Sequence, residues 1–225
     1  MKKLFGSFLA AVLLLVMAVP AFATSGKGEI LDDADITNVT RLAIATPIYT
    51  PPTEAKTTPP TREEIVEIME NARNSSNCYV LTYDEVAQNI KQDINIDIRV
   101  LEKKKAAKIY AENIAKYCDA YVLMMATGLD NKRPTLFFGV HRAKDSVQIY
   151  DYRVNFGRTD VFDVTTMKEA AEGFFKEFDR SAKAQEKDRE KEAKKQMMMT
   201  LDGKILTGKD IPDEEENTDD KEDKK

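Results

Sequence analysis

The chain has 225 residues, with 34 Lys and Arg against 39 Asp and Glu and a formal net charge of −5. That length accommodates one domain with tails. The acidic balance argues against nucleic-acid binding by phosphate neutralisation, and the absence of Trp with a single His leaves little material for a metal or cofactor site.

Lys2 and Lys3 precede an uncharged apolar run from Leu4 to Val19, and Ala21-Phe-Ala23 supplies a small-x-small cleavage site. Residues 1–23 therefore read as an export signal, cut after Ala23. The run is shorter than the roughly 20 apolar residues that a bilayer requires, and it ends at Pro20, so no stable membrane insertion is expected after cleavage. The destination is the periplasm or the exterior of a bacterial cell. Residues 24–40 are polar and lack periodicity, which suits a leader into the domain.

Residues 41–182 carry the pattern of an α/β domain. Arg41 to Tyr49 is an apolar run of strand length, limited by Pro47 and followed by a Thr- and Pro-rich loop to Pro60. Thr61 and Glu64 have capping-box spacing, with Ile65, Ile68, Met69 and Ala72 following at helical intervals. Cys78 to Tyr83 predicts a second strand, and Thr82 with Glu85 a second capped helix. Ile94, Ile96, Ile98 and Val100 alternate, which predicts a strand or an extended connection over residues 92–100. Residues 102–117 predict an amphipathic helix and Asp119 to Thr127 another buried strand. Thr135 to Arg142 and Ser146 to Phe156 predict a hairpin. Thr166 and Glu169 repeat the capping spacing before a stripe of Ala170, Ala171, Phe174, Phe175 and Phe178.

The expected fold is thus a mixed sheet of about five strands with three or four packing helices, closed by a β-hairpin and a helix. Opposite charges three or four residues apart over 183–199 suggest that the last helix continues as a solvated extension. Residues 200–225 form an acidic tail, too charged and too poor in hydrophobes to fold.

No P-loop, dinucleotide glycine fingerprint, nucleophile elbow or zinc-protease helix occurs, and no cofactor is implied. Ligands of α/β sheets bind beyond the carboxyl ends of the strands. That edge contains Thr46, Tyr49, Asp84 and Asp130, which are the candidate ligand-binding residues. The competing explanation is that Asp84 merely starts a helix and the Thr/Pro stretch is a rigid surface loop. His141 lacks partners at metal-ligand spacing. Asp151 and Arg153 alternate with Tyr150 and Tyr152, either as one polar binding face or through cross-strand ion pairing. An oxidising compartment would permit a disulfide between Cys78 and Cys118, although both residues serve equally well as small buried hydrophobes.

Taken in order, residues 41–45 (RLAIA), 78–86 (CYVLTYDEV) and 116–128 (KYCDAYVLMMATG) resemble the periplasmic α/β domains typified by the TolB amino-terminal domain and the CsgG-like curli-secretion lipoproteins. The resemblance covers residues 41–182. It implies a non-catalytic envelope module that binds a protein partner. The Cys to which secretion lipoproteins attach lipid is missing, so pore formation is not implied. The expected function is an exported accessory or interaction domain acting through protein contacts, of open oligomeric state. The alternative is an envelope hydrolase or small-ligand binder using the loop edge.

Overall fold

The computed structural model describes residues 26–31, 34–50, 58–127, 134–156 and 162–197. The export signal, Asp130 and the acidic tail lie outside the described residues.

The strands are β1 (Lys27–Ile30), β2 (Arg41–Ile44), β3 (Tyr79–Leu81), β4 (Ala120–Thr127), β5 (Thr135–Arg142) and β6 (Gln148–Asn155), in the sheet order β1-β6-β5-β4-β2-β3. β2 runs parallel to both β3 and β4, whereas β4-β5, β5-β6 and β1-β6 are antiparallel. The helices are α1 (Arg62–Ala72), α2 (Tyr83–Ile94), α3 (Lys103–Asn113) and α4 (Val164–Met197). The sheet is therefore mixed, as expected, with one strand more than the sequence suggests. The extra strand is β1, in the segment read as a leader. It takes the free edge of β6, with Lys27 opposite Arg153 and Ile30 opposite Tyr150.

Two cores lie on opposite faces. α1 and α4 cover one, where Ile65, Met69, Phe174, Phe175 and Phe178 pack against Leu42, Val122, Phe138 and Tyr150. Each of those Phe side chains removes enough apolar surface from water to contribute about 1.5–3 kcal/mol. α2 and α3 cover the other face, where Ala43, Leu81, Val86, Ile90, Tyr110 and Ile114 cluster. Covered on both sides, Leu42, Ala43 and Ile44 are all buried, which is why β2 shows an unbroken apolar run. No β5 or β6 residue belongs to the second core. Beyond Tyr121 that face stays open, with Met125 and Arg153 exposed and Phe137 half-buried.

Thr61 and Thr82 cap α1 and α2. Each hydroxyl accepts from the N–H of Glu64 or Glu85, and each Glu carboxylate accepts from the capping residue's own N–H. The start of α4 differs from expectation by one turn. Asp163 carboxylate oxygen accepts from Thr166 N–H at 2.9 Å, and Thr166 Oγ1 accepts from Asp163 N–H at 3.0 Å. The reciprocal pair is thus Asp163 and Thr166, and the helix begins at Val164.

Residues 92–100 are not a strand. α2 continues to Ile94 and ends on Asn95 in the left-handed conformation (φ 56°), and a short 3-10 turn follows at Ile98–Val100. Ile98 is 1% exposed while Val100 is 81% exposed, so the alternation of branched residues does not mark a buried face. Asn tolerates the left-handed region because its short polar side chain bonds locally.

Cys78 and Cys118 are both free thiols. Cys78 packs against the core under α1 and α4, and Cys118 belongs to the core under α2 and α3. They thus lie with clusters on opposite faces of the sheet, and no bridge joins them. Each Sγ donates to a carbonyl on its own side, Val39 O at 3.2 Å and Ile114 O at 3.6 Å.

α4 spans 34 residues, about 50 Å at 1.5 Å per residue. Its second half leaves the domain body, and residues 186–197 are exposed throughout. The departure point is fixed by Gln185, whose Nε2 donates to Ala34 O (2.7 Å) and whose Oε1 accepts from Ile36 N–H (2.9 Å). One turn on, Arg189 donates to Asp35 Oδ2 at 2.7 Å.

Candidate functional site

The parallel strands β2 and β3 each hand over to a helix at their carboxyl ends, so α1 and α2 begin on one side of the sheet, and α3 begins beside them. The space between the three helix starts is a groove of about 990 Å³. Ala45, Thr46 and Ile48 form its edge above β2. Arg62, Glu63 and Val66 come from α1, and Tyr83 and Asp84 from α2. Lys103, Ala107 and Ala111 of α3 form one wall, and Tyr121 and Leu123 of β4 the floor.

An aromatic series runs through this floor. Tyr83 stacks on Tyr110 with centroids 5.6 Å apart, Tyr110 meets Tyr121 edge-on at 6.1 Å, and Tyr121 stacks on His141 at 5.3 Å. Such pairs add about 0.5–1.5 kcal/mol beyond area burial and hold the rings rigid. Tyr110 hydroxyl donates to Ile44 O at 3.4 Å, and burial pushes its ionisation well above the ordinary tyrosine value. Burial also raises Tyr83, an effect partly offset by a hydrogen bond with the Thr46 side chain. Both phenols are therefore neutral at physiological pH.

The rim is charged. Arg99 forks onto Asp97 through Nε and Nη2, both at 2.8 Å, and Lys91 adds a third donor at 3.1 Å. The Arg99 and Lys91 hydrogen bonds hold Asp97 well below the usual carboxylate range. Neither Arg62 nor Lys103 forms an ion pair with another described residue. The lining residues thus combine rigid aromatic surface with the charges of Arg62, Glu63, Asp84, Arg99 and Lys103 and the hydroxyl of Thr46.

Thr46 and Asp84, singled out from the sequence, are brought together in this groove. Tyr49 is not with them. It is buried on the opposite side of the sheet, where its hydroxyl donates to Pro60 O at 2.7 Å and its ring sits 5.9 Å from Phe162. Burial pushes it up to about 12. Its role is to pin the chain between β2 and α1. Asp130 lies outside the described residues. Tyr110, Tyr121, Arg99 and Lys103 were missed as site residues because each looks locally like helix core, strand core or solvated surface.

A shallower hollow of about 370 Å³ continues from Leu123 over the open half of the sheet, lined by Met125, Phe137, His141, Asp151 and Arg153. Arg153 lies over the Phe137 ring at 4.9 Å and reaches Asp151 at 3.4 Å. Tyr150 and Tyr152 face the other way, into the core under α4. Asp151 and Arg153 thus share one face and pair with each other along β6, where the sequence suggests a cross-strand partner. Among the described residues no group of His, Cys, Asp and Glu is placed to hold a metal ion, and no helix is long and apolar enough to cross a membrane.

No protein-family model matches the chain, and no curated protein matches it. Among solved structures it is similar to the PelC dodecamer from Paraburkholderia phytofirmans, at 8% identity over 69% of this chain and 98% of that one, with a TM-score of 0.40. The LpoB C-terminal domain from Escherichia coli matches at 15% identity over 57% of this chain and 90% of that one, with a TM-score of 0.39. A lipoprotein from Neisseria meningitidis matches at 11% identity over 52% and 79%, with a TM-score of 0.34. At these scores the likeness is a weak one of fold.

Proposed function

We propose that this chain is an exported, non-catalytic module of the bacterial cell envelope that works by gripping a protein partner, with the groove between the starts of α1, α2 and α3 as its contact surface. The observation that carries this reading is the groove's composition: a preformed aromatic and aliphatic floor, rimmed by fixed charges. That is the make-up of a recognition surface, with apolar anchors at its centre and charge at its rim. The export signal read over residues 1–23 and the resemblance to TolB- and CsgG-type domains support the envelope setting.

A photo-crosslinker placed at Leu101, on the groove, should give a discrete protein adduct in intact cells, whereas the same group at Lys187, on the exposed part of α4, should not. Equal labelling at both positions, or none at Leu101, would remove the groove as contact surface. The groove's volume also suits a small ligand. In that case purified protein would gain thermal stability from a low-molecular-mass envelope extract, and no protein adduct would form.

A further inference from the structure

We infer that the partner segment accepted by the groove is acidic, with carboxylates against the start of α3 and an apolar residue seated over Tyr121 and Leu123. This rests on the protein-contact reading and specifies the chemistry of the partner.

The chain as a whole is acidic, yet residues 99–108 hold five basic residues against one acidic. Of these, Arg99 and Lys103 line the groove, and Lys104, Lys105 and Lys108 are exposed on the same helix beside it. The three helices that start there are also treated differently. α1 and α2 carry acidic residues in their first turns, and each is closed by a capping box. α3 has no acidic residue in its first turn and no side-chain cap, and Lys103, Lys104 and Lys105 stand there instead. Cations at a helix start oppose the helix dipole, and here three lysines stand against the single carboxylate of Glu102 at the N-cap. None of the three lysines forms an ion pair with another described residue, while Lys108, a turn further on, is paired with Glu112 at 3.8 Å. Arg99 is already committed to Asp97.

The groove gives this charge a direction. On the opposite side Arg62 and Glu63 of α1 balance each other and Asp84 of α2 adds a negative charge, so the field runs from acidic at α2 to basic at α3. A segment lying across it is oriented with its carboxylates toward Lys103. Ala107 and Ala111 continue the same wall at four-residue spacing, leaving room for a chain to lie against α3. Charge complementarity of this kind selects partner and register.

The chain's own acidic tail is poorly placed to fill the groove. β6 runs in the same direction as β2, so α4 leaves from the groove end of the sheet, and by Asp179 it has reached Asn77 ahead of β3 at the opposite end. Met197 is a further five turns along, about 50 Å from the start of the helix. Fully extended, the residues from Met197 to Asp213 span roughly 50 Å, and the acidic residues continue to Asp223, roughly 90 Å of chain from Met197. Filling the groove from the tail would take most of that length in extended form, so the proposal commits to a partner protein in the envelope, and tighter peptide binding by a chain ending at Met197 would reassign the groove to the tail.

The test is selection of random twelve-residue peptides displayed on phage against the processed full chain, followed by anisotropy titration of the enriched peptides. The expected result is enrichment of Asp and Glu together with a large apolar residue. Affinity should fall at least tenfold in the Lys103→Glu/Lys104→Glu variant, and similarly when Ala107→Trp fills the groove from the exposed side of α3. Lys187→Glu should leave it unchanged. Circular dichroism on each variant separates loss of binding from loss of fold. Enrichment of neutral or basic peptides that still lose affinity with Ala107→Trp would overturn the acidic assignment and leave the protein-contact reading standing. Failure to enrich any peptide sensitive to Ala107→Trp would overturn both. Sedimentation with phosphatidylglycerol vesicles that is abolished by Lys103→Glu/Lys104→Glu, without peptide binding, would reassign the lysines to a lipid surface. Concentration-dependent light scattering lost in the same variant would reassign them to a second copy of this chain.

Discussion

Asp179 of α4 is 7% exposed, and its Oδ2 accepts from both the backbone N–H (2.6 Å) and the side-chain Nδ2 (2.7 Å) of Asn77, the second residue before β3. Ser76 Oγ adds a longer bond to Oδ1 at 3.3 Å. A single buried carboxylate thus satisfies the chain that enters the edge strand and ties it to the C-terminal helix. Asp179→Ala leaves those donors unpaired, and the expected loss is about 2–4 kcal/mol of unfolding free energy. Urea denaturation checks it, and a loss below about 0.5 kcal/mol would show that water replaces the carboxylate without cost.

Asp119 performs a comparable task between β4 and β2, in a more exposed position. Its Oδ2 accepts from Thr40 N–H at 2.9 Å, Thr40 Oγ1 at 3.0 Å and Arg41 N–H at 2.9 Å. Partial burial acts to raise its pKa, but the hydrogen bonds from Arg41 and Thr40 outweigh it and hold the carboxyl below its ordinary value. A carboxylate depressed in the folded state contributes stability that is complete above its unfolded pKa of about 3.9, and that is lost as pH falls through the lower folded value. Asp119→Asn should therefore cost about 1 kcal/mol near neutrality and flatten the fall in stability below about pH 4. Parallel denaturation series at acid and neutral pH give the difference, and an unchanged acid limb in the variant would contradict it.

The two thiols should both remain reduced even under oxidising conditions, because the sheet separates them. Burial, reinforced by the neighbouring Asp119 charge, pushes Cys118 up to about 12, and burial with the Asp179 charge raises Cys78 as well. Neither is a ready nucleophile. Thiol reagent at pH 8 should react slowly with the folded protein and count two thiols once it is denatured. Recovery of no thiols from the non-reduced, unfolded protein would require a different packing of β2 and β3.

Gln185→Ala with Arg189→Ala removes the Gln185 bonds to Ala34 and Ile36 and the Arg189 bonds to Asp35 and Thr37, which together tie α4 to this segment. The helix beyond Gln185 has no buried residue to hold it, so the expected outcome is fraying of the extension. Helical ellipticity should drop, while the cooperative unfolding midpoint shifts by the equivalent of only about 1 kcal/mol. Equal ellipticity in the two proteins would show that the charged helix sustains itself.

Gly28 faces α4, where a Cβ would overlap the Tyr150 hydroxyl and approach Glu177 Cγ at 3.0 Å. Gly28→Val should push β1 off β6, exposing to hydrogen exchange those β6 amides that bond β1, while the alternate amides bonded to β5 stay protected. Retention of protection at the former would mean that Tyr150 can move aside.

The parts of the fold written locally were legible. Thr61 with Glu64 and Thr82 with Glu85 announce their helices because a capping box closes within four residues. The Phe174, Phe175 and Phe178 stripe likewise declares its buried face. β1 was not legible, since four residues without periodicity become a strand only through the edge that β6 presents. The alternating Ile residues of 94–100 misled for the converse reason: they have strand chemistry but no neighbouring strand. The groove was half legible. The carboxyl edge of the sheet led to Thr46 and Asp84, but Tyr121 and Lys103 join them only when β4 and α3 are packed side by side. Tyr49 went astray because one residue's shift along an extended chain moves a side chain to the other face.

The projecting end of α4 sets a distance as well as a direction. Clamped at Gln185 and exposed over residues 186–197, it acts as an outrigger that points away from the pole where the groove opens. Anything bound in the groove and anything bound along residues 186–197 would therefore stand at opposite ends of the sheet, at a separation set by the length of one helix.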